Sequence, residues 1–506
     1  MPLSEERQEQ LERKRRVWRA TNGLRNVAPH LSVHSGLTRA QRYVIIGAVL
    51  VSAASLFLVP LVAGVILLSI ATTFYCAVIA LRLALIVLSV RQPHDYAGDF
   101  ARSIPDHELP FTSVLVPAYK EPEIVANLVR ALDTLDYPRD RLEVLLVLEE
   151  DDYETIEAAE AEIRDSAICI VTVPAGEPRT KPKALNYALQ VSRGSMITIY
   201  DAEDRPDPLQ LRHAAAALAA GGSDLACVQA QLNYFNPEQN LITSWFTLEY
   251  SMWFTQFLPG LVAIGAPVPL GGTSNHFRRE ALYAVGGWDP YNVTEDADLG
   301  LRFHRMGYHV GVIDSVTLEE ANSDFINWVK QRSRWYKGYL QTWLVNLRHP
   351  RRAIETLGFR GFSVLNLFVG GTPMLALLNP IFWLMTLGWF TLHPQFIRDL
   401  FPAGLFYPAM VSWMFGNFLY IYAFILTSLR RNDAGLVKAA YLIPGYYMMM
   451  SLAAYKALVQ LIFNPSYWEK TQHGLLASAA HGEAKMSGVL TAGDHPAKSP
   501  GILDSP

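Results

Sequence analysis

The sequence predicts a mainly parallel α/β domain set between two groups of membrane helices. Three observations lead there. Hydrophobic residues make up 51% of the 506 residues and charged ones only 18%, and the apolar residues gather toward both ends of the chain, as membrane segments do. Between them, short β-branched runs alternate with helical patterns, which indicates βαβ units. Each strand-like run ends in polar residues, and ligands of open α/β sheets bind outside those carboxyl ends. The length itself calls for more than one structural unit.

Residues 1–42 are polar and carry Arg13, Lys14, Arg15 and Arg16 in one run, with Arg39 and Arg42 just ahead of the first apolar stretch. A Lys/Arg excess beside a membrane segment favours the cytoplasmic side, so this segment is expected there. No short apolar core with a small-residue cleavage site occurs, so no removable signal peptide is expected. Residues 43–90 are almost uninterruptedly apolar, broken by Pro60 and Arg82. That is about twice the ~20 residues a crossing requires, which predicts two spans joined near Pro60.

The hairpin returns the chain to the cytoplasm, so residues 91–350 are expected as the cytoplasmic catalytic domain. There SVLVPAY, EVLLVLEE, ICIVTVP and SMITIYDAED read as strands, and EIVANLVRALDTL, ETIEAAEAEIRD, ALNYALQVS and LQLRHAAAALAA as helices. The pattern predicts a mainly parallel sheet with helices on both faces. Residues 351–463 return to apolar character in three stretches, 361–392, 403–428 and 436–463. The first combines a surface-lying piece up to about Pro373 with one crossing. The last carries Lys438, Pro444, Lys456 and Gln460, which suits an amphipathic helix lying in the membrane interface. Two early and two late crossings keep Arg430, Arg431 and the C-terminus cytoplasmic; a fifth or sixth crossing stays open. The expected location is the inner (plasma) membrane, multi-pass. The tail, 477–506, is rich in Gly, Ala, Pro and Ser and is expected to be disordered.

The formal net charge of −4 offers no electrostatic reason to expect a nucleic-acid partner. Cys76, Cys169 and Cys227 lie far apart, with no metal-cage or disulfide spacing. Acidic residues carry the chemistry instead. Asp201-Ala202-Glu203-Asp204 follows the apolar run MITIY, where carboxylates at a strand end call for compensating charge such as Mg2+ or Mn2+; an acidic turn is the plainer alternative. Thr294-Glu295-Asp296 opens a helical run, and helix capping would equally explain its acids. Gln331-Arg332-Ser333-Arg334-Trp335 lies among Lys330, Tyr336 and Lys337. Arginine suits phosphate recognition, and the indole offers a face to a sugar ring.

VPAYKEP (116–122), TKPKALN (180–186), DAED (201–204), GGTSNHFRR (271–279), TED (294–296) and QRSRW (331–335) resemble, in order and spacing, the motifs of family-two membrane glycosyltransferases of the cellulose-synthase-like, hyaluronan-synthase-like branch. The resemblance covers about residues 110–345 and implies a GT-A (Rossmann-like) fold. It implies a nucleotide-sugar-dependent hexosyltransferase, with UDP-sugar the expected donor. By that resemblance Pro117, Ala118, Tyr119 and Glu121 line the base pocket, Glu149 contacts the base, and Lys181 approaches the diphosphate. Asp201 and Glu203 take the metal positions, with Asp204 as a substitute for Glu203, and Asp201 also faces the nucleotide sugar. Asp296 is the catalytic base; Glu295, Gln331, Arg334 and Trp335 form the acceptor and diphosphate end.

More loosely, Trp468, Lys470, Thr471 and His473 within 464–476 resemble a gating segment that closes over the nucleotide; an exposed loop is the alternative. The resemblance implies a single displacement with inversion. The expected product is a growing β-linked extracellular polysaccharide, extended processively and exported. Addition of one sugar to a membrane lipid is the alternative. The implied partners are a nucleotide sugar, a polysaccharide or lipid acceptor, membrane lipids and any export partner.

Overall fold

The computed structural model describes residues 5–91, 104–163, 168–431, 433–465, 467 and 469. The expected lid residues Trp468, Lys470, Thr471 and His473 lie outside them, as does the tail from 477. Helix α1 (Glu5–Val27) precedes the apolar helices α2 (Arg39–Leu58) and α3 (Pro60–Arg91). Eight strands follow: β1 (Thr112–Ala118), β2 (Leu142–Glu149), β3 (Ile168–Val173), β4 (Met196–Ile199), β5 (Arg205–Pro206), β6 (Leu225–Tyr234), β7 (Asn275–Arg278) and β8 (His309–Glu319). Among them run α4 (Val125–Asp133), α5 (Tyr153–Glu162), α6 (Lys181–Leu189), α7 (Gln210–Ala220), α8 (Leu241–Met252), α9 (Leu258–Ala263), α10 (Arg279–Ala284) and α11 (Glu295–Arg305). The chain then continues through α12 (Phe325–Asn346), α13 (Pro350–Val364), α14 (Gly371–Leu392), α15 (Gln395–Leu400), α16 (Ala403–Arg430), α17 (Val437–Tyr441) and α18 (Ile443–Phe463).

The sheet order is β3-β2-β1-β4-β7-β6-β8-β5. β1 pairs parallel with β2 and β4, β2 with β3, and β6 with β8. The interior strand β7 runs antiparallel to both β4 and β6. All the longer parallel strands therefore present their carboxyl ends at one edge, and β7 enters the sheet at that same edge. This is the α/β class expected, a mixed sheet of GT-A type.

Strand β1 shows why both faces are covered. Successive side chains of a strand point to opposite faces. Val114 and Val116 belong to a core with Val125, Leu128 and Leu132 of α4 and Leu211 of α7, while Leu115 belongs to a second core with Leu185 and Ala188 of α6 and Phe246 of α8. A strand buried on both faces reads as a near-continuous apolar run.

Among the described residues, five helices are long and apolar enough to cross a membrane: Arg39–Leu58, Pro60–Val90, Gly371–Leu392, Ala403–Arg430 and Ile443–Phe463. The last packs lengthwise against α12 of the α/β domain and against α14. Pro60 opens α3 directly after α2, a position where its missing N–H costs little.

Helix α11, which carries the TED acids, is held by a fully buried ion pair. Arg302 Nε donates to Asp298 Oδ2 at 2.7 Å, and its Nη1 donates to the carbonyls of Val285 (2.8 Å) and Gly287 (2.6 Å). Removing one partner of such a pair leaves a buried, uncompensated charge. Arg302→Ala is therefore expected to destabilise the protein by about 3–5 kcal/mol, read as a lowered thermal unfolding midpoint of the detergent-solubilised chain.

Candidate active site

The site is built at the carboxyl edge of the sheet. Lys181 starts α6, and its Nζ donates to Asp201 Oδ1 and to the Gly272 carbonyl at 2.9 Å. Burial works against its charge, but Asp201, Glu295 and Asp204 outweigh it and hold the ammonium above the usual lysine range. Asp201 follows β4, and its amide N–H donates to Asp204 Oδ2 (2.8 Å) and Thr273 Oγ1 (3.2 Å). The Thr273 hydroxyl donates to the same Asp204 oxygen. Burial and the Asp201 charge push the Asp204 carboxyl well up, and its Oδ1 is buried without a hydrogen-bond partner among the described residues.

The loop Gly271–Ser274 is fixed from behind by Gln229 of β6. Gln229 Oε1 accepts from the Gly271 N–H at 2.8 Å, and its Nε2 donates to the Thr273 carbonyl at 3.0 Å. Ser274 adopts φ 55°, a left-handed conformation unusual for a residue with a β-carbon and a form of strain that surrounding structure must hold in place. Gly272 matters for space: a β-carbon there would stand 3.4 Å from Asp296 Oδ2 and 4.0 Å from Lys181 Nζ. The absent side chain leaves a cradle faced by the acid and the lysine together.

Asp296 lies in the first turn of α11, where its Oδ1 accepts from the Ala297 N–H at 2.7 Å. Burial pushes its carboxyl up to about 6, against the opposing pull of Lys181 and Arg334. Its neighbour Glu295 is pushed up to about 8 by burial and by the Asp296 charge. Burial raises both carboxyls, and the Asp296 charge raises Glu295 further, so the pair gives up its protons in two steps. Arg334, reaching in from α12, has its pKa lowered by burial, with Glu295, Asp296 and Asp201 acting against that loss. Lys181, Asp201, Glu295, Asp296 and Arg334 thus form one interacting group.

On the β1 side, Lys120 takes φ 56°, and the loop carrying Pro117, Ala118, Tyr119 and Glu121 is pinned by α5. The Lys120 N–H donates to Asp152 and the Glu121 N–H to Thr155 Oγ1 at 3.1 Å. Glu149 ends β2 and is ion-paired with the buried Lys183 at 3.2 Å, while Asp151 pairs with Arg179.

At the acceptor end, Trp335 stacks on Tyr250 (ring centroids 6.0 Å, 28° between planes) and meets the Arg332 guanidinium 4.6 Å from its ring centre. Arg332 is buried and forms a two-pronged ion pair with Glu249 of α8, and Tyr446 of α18 bonds both partners. Gln331 Oε1 is buried without a hydrogen-bond partner among the described residues.

Several of these residues had no sequence signal. Glu319, at the end of β8, faces Asp204, Glu203, Asp201 and Lys181, and its carboxyl is raised well up by burial and by those acids. Glu249, Gln229, Thr273 and Lys183 also went unmarked, although Lys183 stands inside TKPKALN and Thr273 inside GGTSNHFRR. Acids outnumber cations around Asp201, and oxygen donors in such surplus suit a hard divalent cation. Among the described residues no three His, Cys, Asp or Glu side chains converge to hold a metal alone.

The chain is similar to several known proteins. Beta-monoglucosyldiacylglycerol synthase of Trichormus variabilis is 29% identical over 263 residues, 50% of this chain and 55% of that protein. Glucomannan 4-beta-mannosyltransferase 1 of Oryza sativa is 27% identical over 237 residues, 45% of each. The chain spans about half the length of these curated relatives. The solved mannosyltransferase PcManGT of Pyrobaculum calidifontis, in complex with GDP-Man and Mn2+, is 20% identical, covers 80% of this chain and 99% of its own, and superposes with a TM-score of 0.49. Residues 196–427, from β4 to the candidate membrane helix α16, match the family model described as Glycosyl transferase family group 2.

Proposed function

We propose that this chain is an inverting glycosyltransferase that takes a hexose from a nucleotide sugar, UDP-linked by preference, and adds it to an acceptor at the membrane surface. One observation carries the reading: the space left by Gly272 is faced by Asp296 Oδ2 and Lys181 Nζ at once. A base and a diphosphate cation flanking one cavity are what a displacement at an anomeric carbon requires.

Asp296 accepts the proton of the acceptor hydroxyl as that oxygen forms its bond to the anomeric carbon and the bond to the diphosphate breaks. One displacement inverts the centre. Glu295, whose carboxyl is pushed up by burial and by the charge of Asp296, lies beside that residue in the same turn. Lys181 and Arg334 balance the charge gathering on the diphosphate. Pro117, Ala118, Tyr119 and Glu121 supply the wall for the base, with Glu149 behind them. Asp201 and Glu203 would hold Mg2+ or Mn2+, which when bound supplies further charge stabilisation to the leaving diphosphate.

For the acceptor, the reading favoured by the QRSRW segment is a growing β-linked polysaccharide. Trp335 and Gln331 lie four residues apart on α12, and an aromatic surface with polar neighbours suits a sugar. α18 is then an interfacial helix, because Tyr446, Lys456 and Gln460 all engage polar partners near α12: Lys456 and Gln460 bond Glu469 at 2.7 and 2.9 Å. The catalytic domain and both termini lie on the cytoplasmic side of the plasma membrane, and the four remaining helices frame the route outward. A second reading, one sugar added to a membrane lipid, is supported by the name of the Trichormus relative.

The acid limb of activity should follow Asp296. The ionised carboxylate is the active form, so kcat/KM is expected to fall about tenfold per pH unit below about 6. Asp296→Asn should remove that limb and lower turnover by roughly 10²–10⁴-fold while retaining nucleotide binding; near-normal turnover would sink the assignment. Chelation by EDTA is expected to abolish transfer, with Mn2+ or Mg2+ restoring it, and Asp201→Ala should weaken diphosphate binding. The acceptor readings separate on product size: membranes given a panel of labelled nucleotide sugars should yield a high-molecular-weight β-linked polymer, whereas a single-sugar lipid adduct from the correct donor moves the assignment to glycolipid synthesis.

A further inference from the structure

A second charged cleft lies away from the sugar-transfer site, at the amino end of α13. It measures ≈ 580 Å3 and is lined by Arg348, His349, Pro350, Arg351, Arg352 and Glu355. His30, from the segment after α1, lies beside it, its ring 6.2 Å from that of His349. Arg352, Arg305, His349 and Arg348 all face His30 and, after burial, are what lower its pKa. Glu355 is the one acid in the lining. The nearby acids Asp298 and Asp289 are committed elsewhere, to Arg302 and to the Val33 N–H. Among the described residues neither Arg351 nor Arg352 forms an ion pair, and both are exposed.

Such a concentration of cations is unfavourable in isolation and is relieved by an anion. The question is which anion, and the location answers it. Arg348 donates to the carbonyls of His30 (3.0 Å), Ser32 (2.8 Å) and Gly36 (2.6 Å), and α2 begins at Arg39, three residues beyond Gly36. Gln41, in the first turn of α2, donates to the Leu344 carbonyl near the end of α12 at 2.7 Å. The cleft is therefore tied to the foot of the first membrane helix. On its other side, α13 turns at Gly358 (φ 65°) and presents Ile354 and Phe359, the latter 82% exposed, before the chain reaches α14. Arginines beside exposed apolar side chains at a membrane entry match an anionic lipid, headgroup to the cations and acyl region to the apolar residues.

We propose that this cleft binds the phosphate of an anionic phospholipid headgroup. Arg351, Arg352 and His349 contact the phosphate oxygens, for which guanidinium groups offer paired donors, and Arg305 supplies charge from behind. The lipid seats the α/β domain at a fixed height against the bilayer. This assignment rests on α2 and α14 being membrane spans and is independent of the chemistry at Asp296.

The test uses the purified full chain in phosphatidylcholine nanodiscs with and without phosphatidylglycerol, with retained lipid counted by native mass spectrometry after transfer to neutral detergent. Wild type is expected to retain phosphatidylglycerol in preference to phosphatidylcholine. Preference should fall about fivefold for each arginine removed in Arg351→Gln and Arg352→Gln, and the Arg351→Lys/Arg352→Lys pair should keep most of it. Unfolding midpoints equal to wild type identify the Gln variants as folded. Equal retention by wild type and the doubly substituted Gln variant overturns the proposal. So does complete displacement of phosphatidylglycerol by inorganic phosphate, which would make this a site for a soluble anion.

Discussion

The site depends on one partly buried ammonium. Lys181 stands between the Asp201 carboxylate and the Gly272 carbonyl, and Glu295 and Asp204 act on it from further off. Take it away, and the carboxylates after β4 and at the start of α11 lose the cation they share. Like charges so placed cannot all remain ionised. Burial first, and neighbouring carboxylates after it, raise the Asp204, Glu295 and Glu319 carboxyls even with the cation in place. A second cation from α12, Arg334, balances the far side, so three separate stretches of chain meet through charge that no one of them could bury alone.

The first half of the domain was legible because its signals are local. Parallel strands buried on both faces are short apolar runs, and β1 to β4 alternate with amphipathic helices at the lengths that periodicity shows. The second half was not. β7 is four residues long and runs against its neighbours, and nothing in Asn275–Arg278 distinguishes it from a loop until β4 and β6 are there to pair with it. The loop before it owes its shape to Gln229, forty residues upstream, and a lone buried glutamine carries no pattern. Glu319 and Glu249 were invisible for a related reason: each gains its role from groups brought beside it by folding. The acids and basic residues of the motifs were readable, and the structure brings Asp201, Lys181, Glu295, Asp296 and Arg334 together; it also pairs Glu149 with Lys183, a partner that the sequence spacing alone does not single out.

The membrane helices illustrate the limit of composition. α18 meets the length and hydropathy of a crossing helix, yet its polar side chains are not spread at random around it. Lys456 and Gln460 converge on Glu469, and Tyr446 reaches Arg332 and Glu249. Hydropathy averages over a window and cannot see that the polar minority is concentrated toward α12, where partners satisfy it.

That pairing of Arg332 with Glu249 and Tyr446 has a practical consequence. α8 belongs to the α/β domain, α12 forms its membrane-side margin, and α18 arrives from the last hydrophobic stretch, so the three are fastened by a buried guanidinium whose acceptors come from two of them. Cutting the chain after residue 350 to obtain a soluble catalytic fragment would delete Tyr446 and strip the apolar cover from this pair. Arg332 would then compete with water for Glu249, and Trp335, which rests on that guanidinium, would lose its support. Recombinant work on this protein is therefore better served by the whole chain in detergent or lipid than by an excised domain.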